Sequence, residues 1–450
     1  MTRLLGSLLI LCLTAPTAAL AQSSPLADAP ALAAAGDYPV GVHAQTLVHA
    51  GQPDLLASDL ASGKIARTDR ALPVTLWYPA ARPAADAAPV RYTMPDEPKA
   101  GVAPTQVFYK TGTAFPDAKP VRGQTFPLVV ISHGYRNWGA SFSDLAENLA
   151  SKGYVVAAID HQDPEPATLA APQLSFAVTL ITRVADQRFV ISELARRADQ
   201  GLLKGVYDAG KVGLIGYSMG GFGALATVGA GFDAQGPLYK LVPGELLKPF
   251  TTLDPSFEAG LPKGVKAMVG LAPWGGAPPL RAWSAQSLAG VKTPSLLIVG
   301  DHDDVSGYAE GVAWIYDALR GADRHLLVYA NARHNIARDG TPPSLTGQFQ
   351  SVERYEEPVW RRDRILAINR HFITAFLDAN LKGDPGKGAY LTVPTPESGK
   401  GAWPLAQGAS VGAQTAIPGD AATAGYWPGF QRRWALGLTL RHDTPEPTKQ

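Results

Sequence analysis

Residues 211–221 constrain the fold of this chain more than any other stretch of its sequence. A short apolar run that predicts a buried strand leads straight into the motif Gly216-Tyr217-Ser218-Met219-Gly220, and residues 222–227 predict a helix. Between a strand and a helix, Gly-x-Ser-x-Gly is typical of a nucleophile elbow, in which a tight turn exposes the serine hydroxyl. Such a turn needs glycine at both ends of the motif, since side chains there would collide. A glycine-rich packing turn is the alternative interpretation.

The length and composition of the chain are sufficient for a large buried core. The chain has 450 residues, of which 46% are apolar and only 18% are charged. Its net charge is +1 and it has no basic or acidic block, so the sequence does not indicate a nucleic-acid partner. One domain with insertions fits this length and pattern better than two domains.

The amino terminus has the pattern of a signal peptide, which we assign to residues 1–21. A short positive region at residues 1–3 precedes an apolar run at residues 4–13, and Ala-Leu-Ala at residues 19–21 is a small-x-small cleavage site. No stretch is apolar over the ~20 residues that a membrane span requires. Cys12, the only cysteine, lies in this segment, so the processed chain has neither a disulfide nor a cysteine-ligated metal. We therefore expect an exported protein, periplasmic or extracellular.

From residue 126 onward, predicted strands and helices alternate. This rhythm indicates an α/β fold with a mostly parallel central sheet and helices on both faces. Two earlier strands, at residues 40–48 and 73–78, are expected to be antiparallel at one edge. The predicted helix at residues 174–199 carries one apolar stripe, and its other faces carry Arg183, Asp186, Arg188 and Arg196, so we interpret it as an ordinary helix that covers the sheet.

The main α/β domain is predicted to span residues 22–384. Proline- and glycine-rich stretches near residues 80–124 and 232–263 are interpreted as insertions. Residues 385–450, low in charge and rich in glycine, proline and tryptophan, form a C-terminal extension that we expect to pack on this domain.

A serine hydroxyl needs a base to become a nucleophile, and the base needs an acid to orient it. His334 follows a predicted strand that ends near residue 329, and Asp301, Asp303 and Asp304 follow a strand that ends at residue 299. We predict His334 as the base and Asp303 as the acid, with Asp304 as the next candidate. Serine, acid, histidine is the chain order of the α/β-hydrolases. Without other ligand motifs, no metal site is expected.

The loop after the first parallel strand should complete an oxyanion hole. It reads Ser132-His133-Gly134-Tyr135, and Gly134 allows the backbone to turn so that the next N–H points into the site. We predict the backbone N–H groups of Tyr135 and Met219 as the two donors. His133 is interpreted as a helper packed beside this loop.

Together these motifs resemble those of dienelactone-hydrolase-like and platelet-activating-factor-acetylhydrolase-like secreted esterases, which implies the α/β-hydrolase fold. The pairing of Gly-Tyr with Ser-Met-Gly-Gly is also similar to cutinase-like polyester hydrolases. Those enzymes carry an aromatic residue after the next strand, so the resemblance implies that Trp274 contacts substrate. Dienelactone hydrolases proper use cysteine where this chain has Ser218. Cutinase-like enzymes are shorter and usually have a disulfide.

The sequence therefore predicts a secreted serine carboxylesterase that forms an acyl-enzyme intermediate and needs no cofactor. Its expected partner is a small or polymeric ester, possible substrates being aryl and polyester-type esters. An amidase or peptidase on the same triad is the alternative within enzymes, followed by a cofactor-free perhydrolase. A catalytically silent binding protein that keeps the fold is the alternative from another class.

Overall fold

The computed structural model describes residues 26–95, 106–169, 171–401, 426–431 and 433–447. The predicted signal peptide, residues 1–21 with Cys12, lies outside these ranges. Within them, no helix has both the length and the apolar character that crossing a bilayer requires.

The strands of the described residues form one large sheet and one small hairpin. In chain order they are β1 (Val40–Asp59), β2 (Lys64–Pro79), β3 (Arg91–Pro95), β4 (Gln106–Thr111), β5 (Phe115–Pro116), β6 (Phe126–Ser132), β7 (Val155–Ile159), β8 (Tyr207–Tyr217), β9 (Val265–Leu271), β10 (Ser295–Gly300), β11 (Arg324–Tyr329) and β12 (Leu438–Asp443). The large sheet has the order β12-β11-β10-β9-β8-β6-β7-β2-β1-β5, and β3 pairs with β4 in the hairpin.

Strand directions give the sheet its class. Strands β6 to β11 are all parallel to one another, while β2 is antiparallel to both β1 and β7. At the other edge, β12 is antiparallel to β11. In the order β8-β6-β7-β2, strands β6 and β7 are exchanged relative to their order in the chain, which requires a crossover connection. A mostly parallel sheet with this crossover, and with its Gly-x-Ser-x-Gly turn after β8, defines the α/β-hydrolase fold. The predicted fold class is confirmed.

Helices cover both faces of this sheet. They are α1 (Ser143–Ser151), α2 (Gln173–Arg196), α3 (Met219–Thr227), α4 (Ala285–Gly290), α5 (Trp314–Ala318), α6 (Phe349–Tyr355), α7 (Arg362–Leu377) and α8 (Pro385–Gly388). Side chains alternate along β6, so Leu128 and Val130 enter one core with α2 and α3. Val129 and Ile131 enter a second core with α1 and α7. All seven residues of β6 are buried, as expected for a strand covered on both sides.

Some elements differ from the sequence expectations. The opening strands are far longer than predicted, because β1 and β2 continue as a paired ribbon beyond the sheet. The stretch near residues 80–124 contains the β3–β4 hairpin and the short edge strand β5. In the C-terminal extension, Leu438 and Leu440 of β12 are buried, whereas Leu436 is exposed. The proposed domain limits stay predictions.

Helix α2 covers the sheet as expected and its Arg196 is exposed, but the other three charged residues noted in the sequence are not. Arg183 and Asp186 are fully buried, and Arg188 is nearly so. Arg70 donates from two nitrogens to the carboxylate of Asp186, over 2.9 and 3.0 Å. Arg183 donates to Asp163 over 2.6 Å. These charges are buried because other segments supply their partners, which the periodicity of one helix does not reveal.

Because two histidines are buried, we predict that the protein loses stability in mild acid. Burial lowers the pKa of His371 to about 3 and that of His161 well below its ordinary range. In the unfolded chain both bind a proton below a pH of about 6.5. As the pH falls below that value, the unfolded state gains protons that the folded state does not, so the free energy of unfolding decreases.

Urea unfolding between pH 7.5 and pH 5 measures this effect. His371→Gln removes one titrating group, so its stability should depend less steeply on pH than the wild type, the difference in slope approaching about 1.4 kcal/mol per pH unit near pH 5. An unchanged slope would show that His371 takes up its proton in the folded protein.

Candidate active site

The turn that holds Ser218 leaves no room for side chains on either side. One residue, Ser218, separates β8 from α3, and its φ of 53° is a conformation that residues other than glycine rarely adopt. A Cβ atom at Gly216 would lie 2.2 Å from the carbonyl oxygen of Gly220. A Cβ atom at Gly220 would lie 2.0 Å from that of Ser132. The geometry confirms the steric reason for both glycines in the motif.

Asp303 and His334 meet across the ends of β10 and β11. His334 donates from Nδ1 to the two carboxylate oxygens of Asp303, over 3.0 and 2.9 Å. The backbone N–H groups of Val305 and Ser306 donate to the same carboxylate, over 2.9 and 2.8 Å. This arrangement fixes the imidazole and makes Nε2 the ring nitrogen that can take up a proton.

Burial and hydrogen bonding oppose each other at Asp303. Burial alone raises the pKa of this carboxyl group, but the hydrogen bond and charge of His334 and the two backbone N–H groups outweigh it. The pKa of Asp303 therefore lies below its ordinary value, and the group is an anion at neutral pH. An anion buried beside the ring stabilises the imidazolium that forms when His334 accepts a proton.

The two rival aspartates have other partners. Asp304 forms an exposed ion pair with Arg333, whose Nε lies 2.9 Å from the carboxylate. Asp301 accepts the backbone N–H of Asn331 over 2.6 Å and lies 2.8 Å from its neighbour His302. Of the three candidates, the structure joins only Asp303 to His334.

Ser218 and His334 line one cleft of about 350 Å³. Its walls also include the loop residues Gly134 and Tyr135 and the ring of Tyr217. The rest of the lining is mostly polar, namely Asn137, Asp304, Val305, Arg333, Asn335, Arg338, Glu353 and Arg354. The predicted nucleophile, base and oxyanion loop therefore line one cleft.

The loop after β6 lies directly against the elbow. A Cβ atom at Gly134 would lie 3.1 Å from the ring of Tyr217 and 3.3 Å from the Cβ of Ser218. Helix α3 begins at Met219, so the N–H of that residue has no acceptor within the helix. The N–H groups of Tyr135 and Met219 thus belong to the two segments that flank Ser218. Their role as oxyanion donors stays a prediction.

His133 is fully buried beside this loop and has structural partners. Its Nδ1 donates to the carbonyl oxygen of Gly134 over 2.6 Å, and its Nε2 accepts the backbone N–H of His161 over 3.0 Å. Both ring nitrogens are occupied, which fits the interpretation of His133 as a helper that shapes the loop.

A second serine, histidine and aspartate set lies beneath the elbow, and the sequence reasoning missed it. Ser132 Oγ lies 2.7 Å from His161 Nε2, and His161 Nδ1 lies 2.9 Å from Asp186. Gln187 of α2 donates to Ser132 Oγ and to the carbonyl oxygen of Gly220, both over 2.8 Å. All these side chains are fully buried. The set cannot meet a substrate, and instead fastens the elbow and the oxyanion loop to α2.

Glu357 is a further functional residue without a sequence signal. Its carboxylate accepts the backbone N–H groups of Arg333 and Asn335, over 2.7 and 2.6 Å, and so holds the chain on both sides of His334. Burial raises the pKa of Glu357, although these two hydrogen bonds lower it. The residue lies between α6 and α7, in a stretch with no motif.

Trp274 lies next to the elbow but is not among the described residues that line the cleft. Its backbone N–H donates to the carbonyl oxygen of Ser218 over 3.1 Å. The half-buried indole packs edge-on against Phe176 and Phe222, with ring centroids 5.2 and 5.9 Å apart. Tyr135 packs against the other side of this aromatic cluster through Phe176. Contact between Trp274 and substrate stays a prediction.

The described residues include one group of three side chains with metal-ligand chemistry, Asp323, His325 and His442. Its two imidazole rings stack in parallel at 4.1 Å, so their lone pairs cannot point to one ion without a rotation. Asp323 precedes β11, at the opposite end of the strand from His334. This group is remote from the cleft.

Fold and site together define an α/β-hydrolase, and three comparisons place it among known proteins. The model of the family described as platelet-activating factor acetylhydrolase, isoform II, matches residues 109–174, which include the loop after β6. The bis(hydroxyethyl) terephthalate hydrolase of Streptomyces coelicolor is 25% identical over 229 residues, covering 51% of this chain and 54% of the relative. The chain thus aligns with about half the length of that curated relative.

A solved structure of ferulic acid esterase from Streptomyces cinnamoneus is also similar. The two chains share 22% identity with a TM-score of 0.48, over 77% of this chain and 91% of the esterase. The chain therefore resembles platelet-activating factor acetylhydrolases and polyester hydrolases, as its motifs predicted.

Replacing each rival aspartate tests the assignment of the acid. Asp303→Asn should lower kcat for a chromogenic ester by about 10³-fold or more, because the imidazole loses its orienting anion. Asp304→Asn removes only an exposed ion pair and should change kcat by less than about 3-fold. Thermal melting checks that both variants fold. An inactive Asp304→Asn with an active Asp303→Asn would move the assignment by one residue.

Proposed function

We propose that this protein is an exported serine carboxylesterase. The observation that carries the proposal is the pair formed by Asp303 and His334, which faces the same cleft as Ser218 at the elbow. Export rests on the signal-peptide pattern of residues 1–21.

The mechanism follows from what each group can do. His334 Nε2 takes the proton of Ser218 as its Oγ attacks the ester carbonyl, and Asp303 stabilises the resulting imidazolium. The backbone N–H groups of Tyr135 and Met219 bind the oxyanion of the tetrahedral intermediate. His334 then gives its proton to the departing alcohol, leaving an acyl group on Ser218. A water molecule, deprotonated by His334, releases the acid and restores the serine.

No step of this cycle requires a redox change or a cofactor. Transfer of the acyl group to water breaks one C–O bond and forms another, and His334 moves the proton each time. In this proposal the base is His334 and the nucleophile is Ser218, and both residues line the cleft.

Esters of aromatic acids, including polyester-type esters, are the proposed substrate class. The Streptomyces coelicolor relative is named for hydrolysis of bis(hydroxyethyl) terephthalate, an aromatic diester. In this chain the aromatic cluster of Tyr135, Phe176 and Trp274 adjoins the elbow. Flat rings of this kind hold an aromatic acyl group through edge and face contacts.

The two serine, histidine and aspartate sets allow a matched test. Ser218→Ala should lower kcat for 4-nitrophenyl esters by about 10⁴-fold or more while the protein still folds. Ser132→Ala removes the serine that is hydrogen-bonded to His161. Its kcat should fall only about 10-fold, because the elbow is then held less firmly. An anilide analogue, measured alongside, separates an esterase from an amidase.

Near wild-type ester hydrolysis by the Ser218→Ala variant would contradict the proposal. Faster hydrolysis of the anilide than of the ester by the wild type would favour the amidase.

A further inference from the structure

Arg338 occupies an unusual position in the cleft. It lies four residues after His334 and lines the same cleft as Ser218, yet only 7% of its surface is exposed. Its guanidinium stacks over the ring of Tyr355, at 4.4 Å from the centroid. A charged group that is both buried and at the wall of a reaction cleft needs a physical explanation.

The hydrogen bonds of Arg338 leave its charge uncompensated. One Nη2 hydrogen bond goes to the backbone carbonyl of Arg354, and the buried Nε has no partner among the described residues. Nη1 is not among the buried nitrogens and makes no hydrogen bond within the described part of the chain. It is therefore the nitrogen left to face the cleft.

Neighbouring arginines do have carboxylate partners. Arg333 pairs with Asp304, and Arg362 lies 3.1 Å from Glu356. No carboxylate of the described residues lies within ion-pair distance of Arg338. Burial lowers the pKa of Arg338 most, and the charges of Arg354 and Arg362 lower it further, although two tyrosines raise it. The protein surroundings thus penalise this charge.

An anionic ligand would remove that penalty. A carboxylate in the cleft would accept a charge-assisted hydrogen bond from the guanidinium and neutralise it in a partly buried setting. Such bonds are stronger where water is excluded than on an open surface.

We propose that Arg338 is an anion-binding residue of the cleft, and that the ester substrates carry a carboxylate remote from the scissile bond. Half-esters of dicarboxylic acids have this chemistry. The inference rests on the proposed esterase function and names the substrate class of the same site. It assigns Arg338 to substrate recognition and leaves the proton transfers to Ser218 and His334.

Two methyl esters of matched shape test the proposal. The methyl half-ester of terephthalic acid carries a carboxylate where methyl 4-nitrobenzoate carries a neutral nitro group of similar size. For each variant the measured quantity is kcat/KM for the half-ester divided by kcat/KM for methyl 4-nitrobenzoate. Comparing this ratio between variants cancels the different intrinsic reactivities of the two esters. In Arg338→Met the ratio should fall at least ~10-fold relative to the wild type, because a charge-assisted hydrogen bond is lost.

The matched control is Arg333→Met, which removes an arginine of the same cleft whose charge Asp304 already neutralises. Its ratio should change by less than about 3-fold. An equal fall in both variants would indicate a general effect of cleft charge and would overturn the assignment to Arg338. If the wild type hydrolyses neither ester nor any chromogenic ester, the proposed function itself fails instead.

Inhibition of the wild type tests carboxylate binding in the cleft even if Arg338→Met does not fold. Benzoate should compete with a neutral chromogenic ester at least ~10-fold more tightly than benzamide, which has the same shape without the charge. Equal inhibition by the two would overturn the proposal. Inhibition by inorganic phosphate but not by benzoate would also overturn it, since the site would then take phosphate rather than carboxylate.

Discussion

The backbone contact beneath Ser218 is the constraint on which the rest of the site depends. A side chain at Gly216 would collide with the backbone of Gly220, one at Gly220 would collide with the backbone of Ser132, and the serine between them has a positive φ. A strained turn persists only where its surroundings over-determine it. Here they do so through β8 at the centre of the sheet and through Gln187, which binds the Gly220 carbonyl and Ser132 together. The buried set beneath the elbow is thus part of what holds Ser218 in this turn.

The fold and the grouping of the candidate residues were predictable from the sequence because their signals are local. Alternating strands and helices predict the parallel sheet, and the elbow motif identifies Ser218 within a few residues. His334 and the three aspartates each follow a predicted strand, and the carboxyl ends of parallel strands lie at one edge of the sheet. Among the aspartates the sequence favoured Asp303, and the turn after β10 brings that carboxylate to the imidazole while Asp304 pairs with Arg333.

What the sequence did not reveal depends on partners distant in the chain. The burial of Arg183 and Asp186 in α2 was not predicted, because their partners Arg70, His161 and Asp163 lie on other segments. Glu357 and Arg338 belong to no motif, and only packing around the His334 loop gives them a role. Polar groups of this kind cluster around the site. Burying their charge costs free energy, but their hydrogen bonds fix the geometry of the site.

Covalent labelling tests the central claim, that Ser218 is the activated nucleophile, most directly. A fluorophosphonate should add one equivalent to the folded protein, and the adduct should map to the tryptic peptide of residues 212–240, which contains Ser218. Urea-unfolded protein should remain unlabelled, because the triad no longer exists. No adduct on the folded protein, or an adduct on the peptide of residues 123–136 that contains Ser132, would contradict the account.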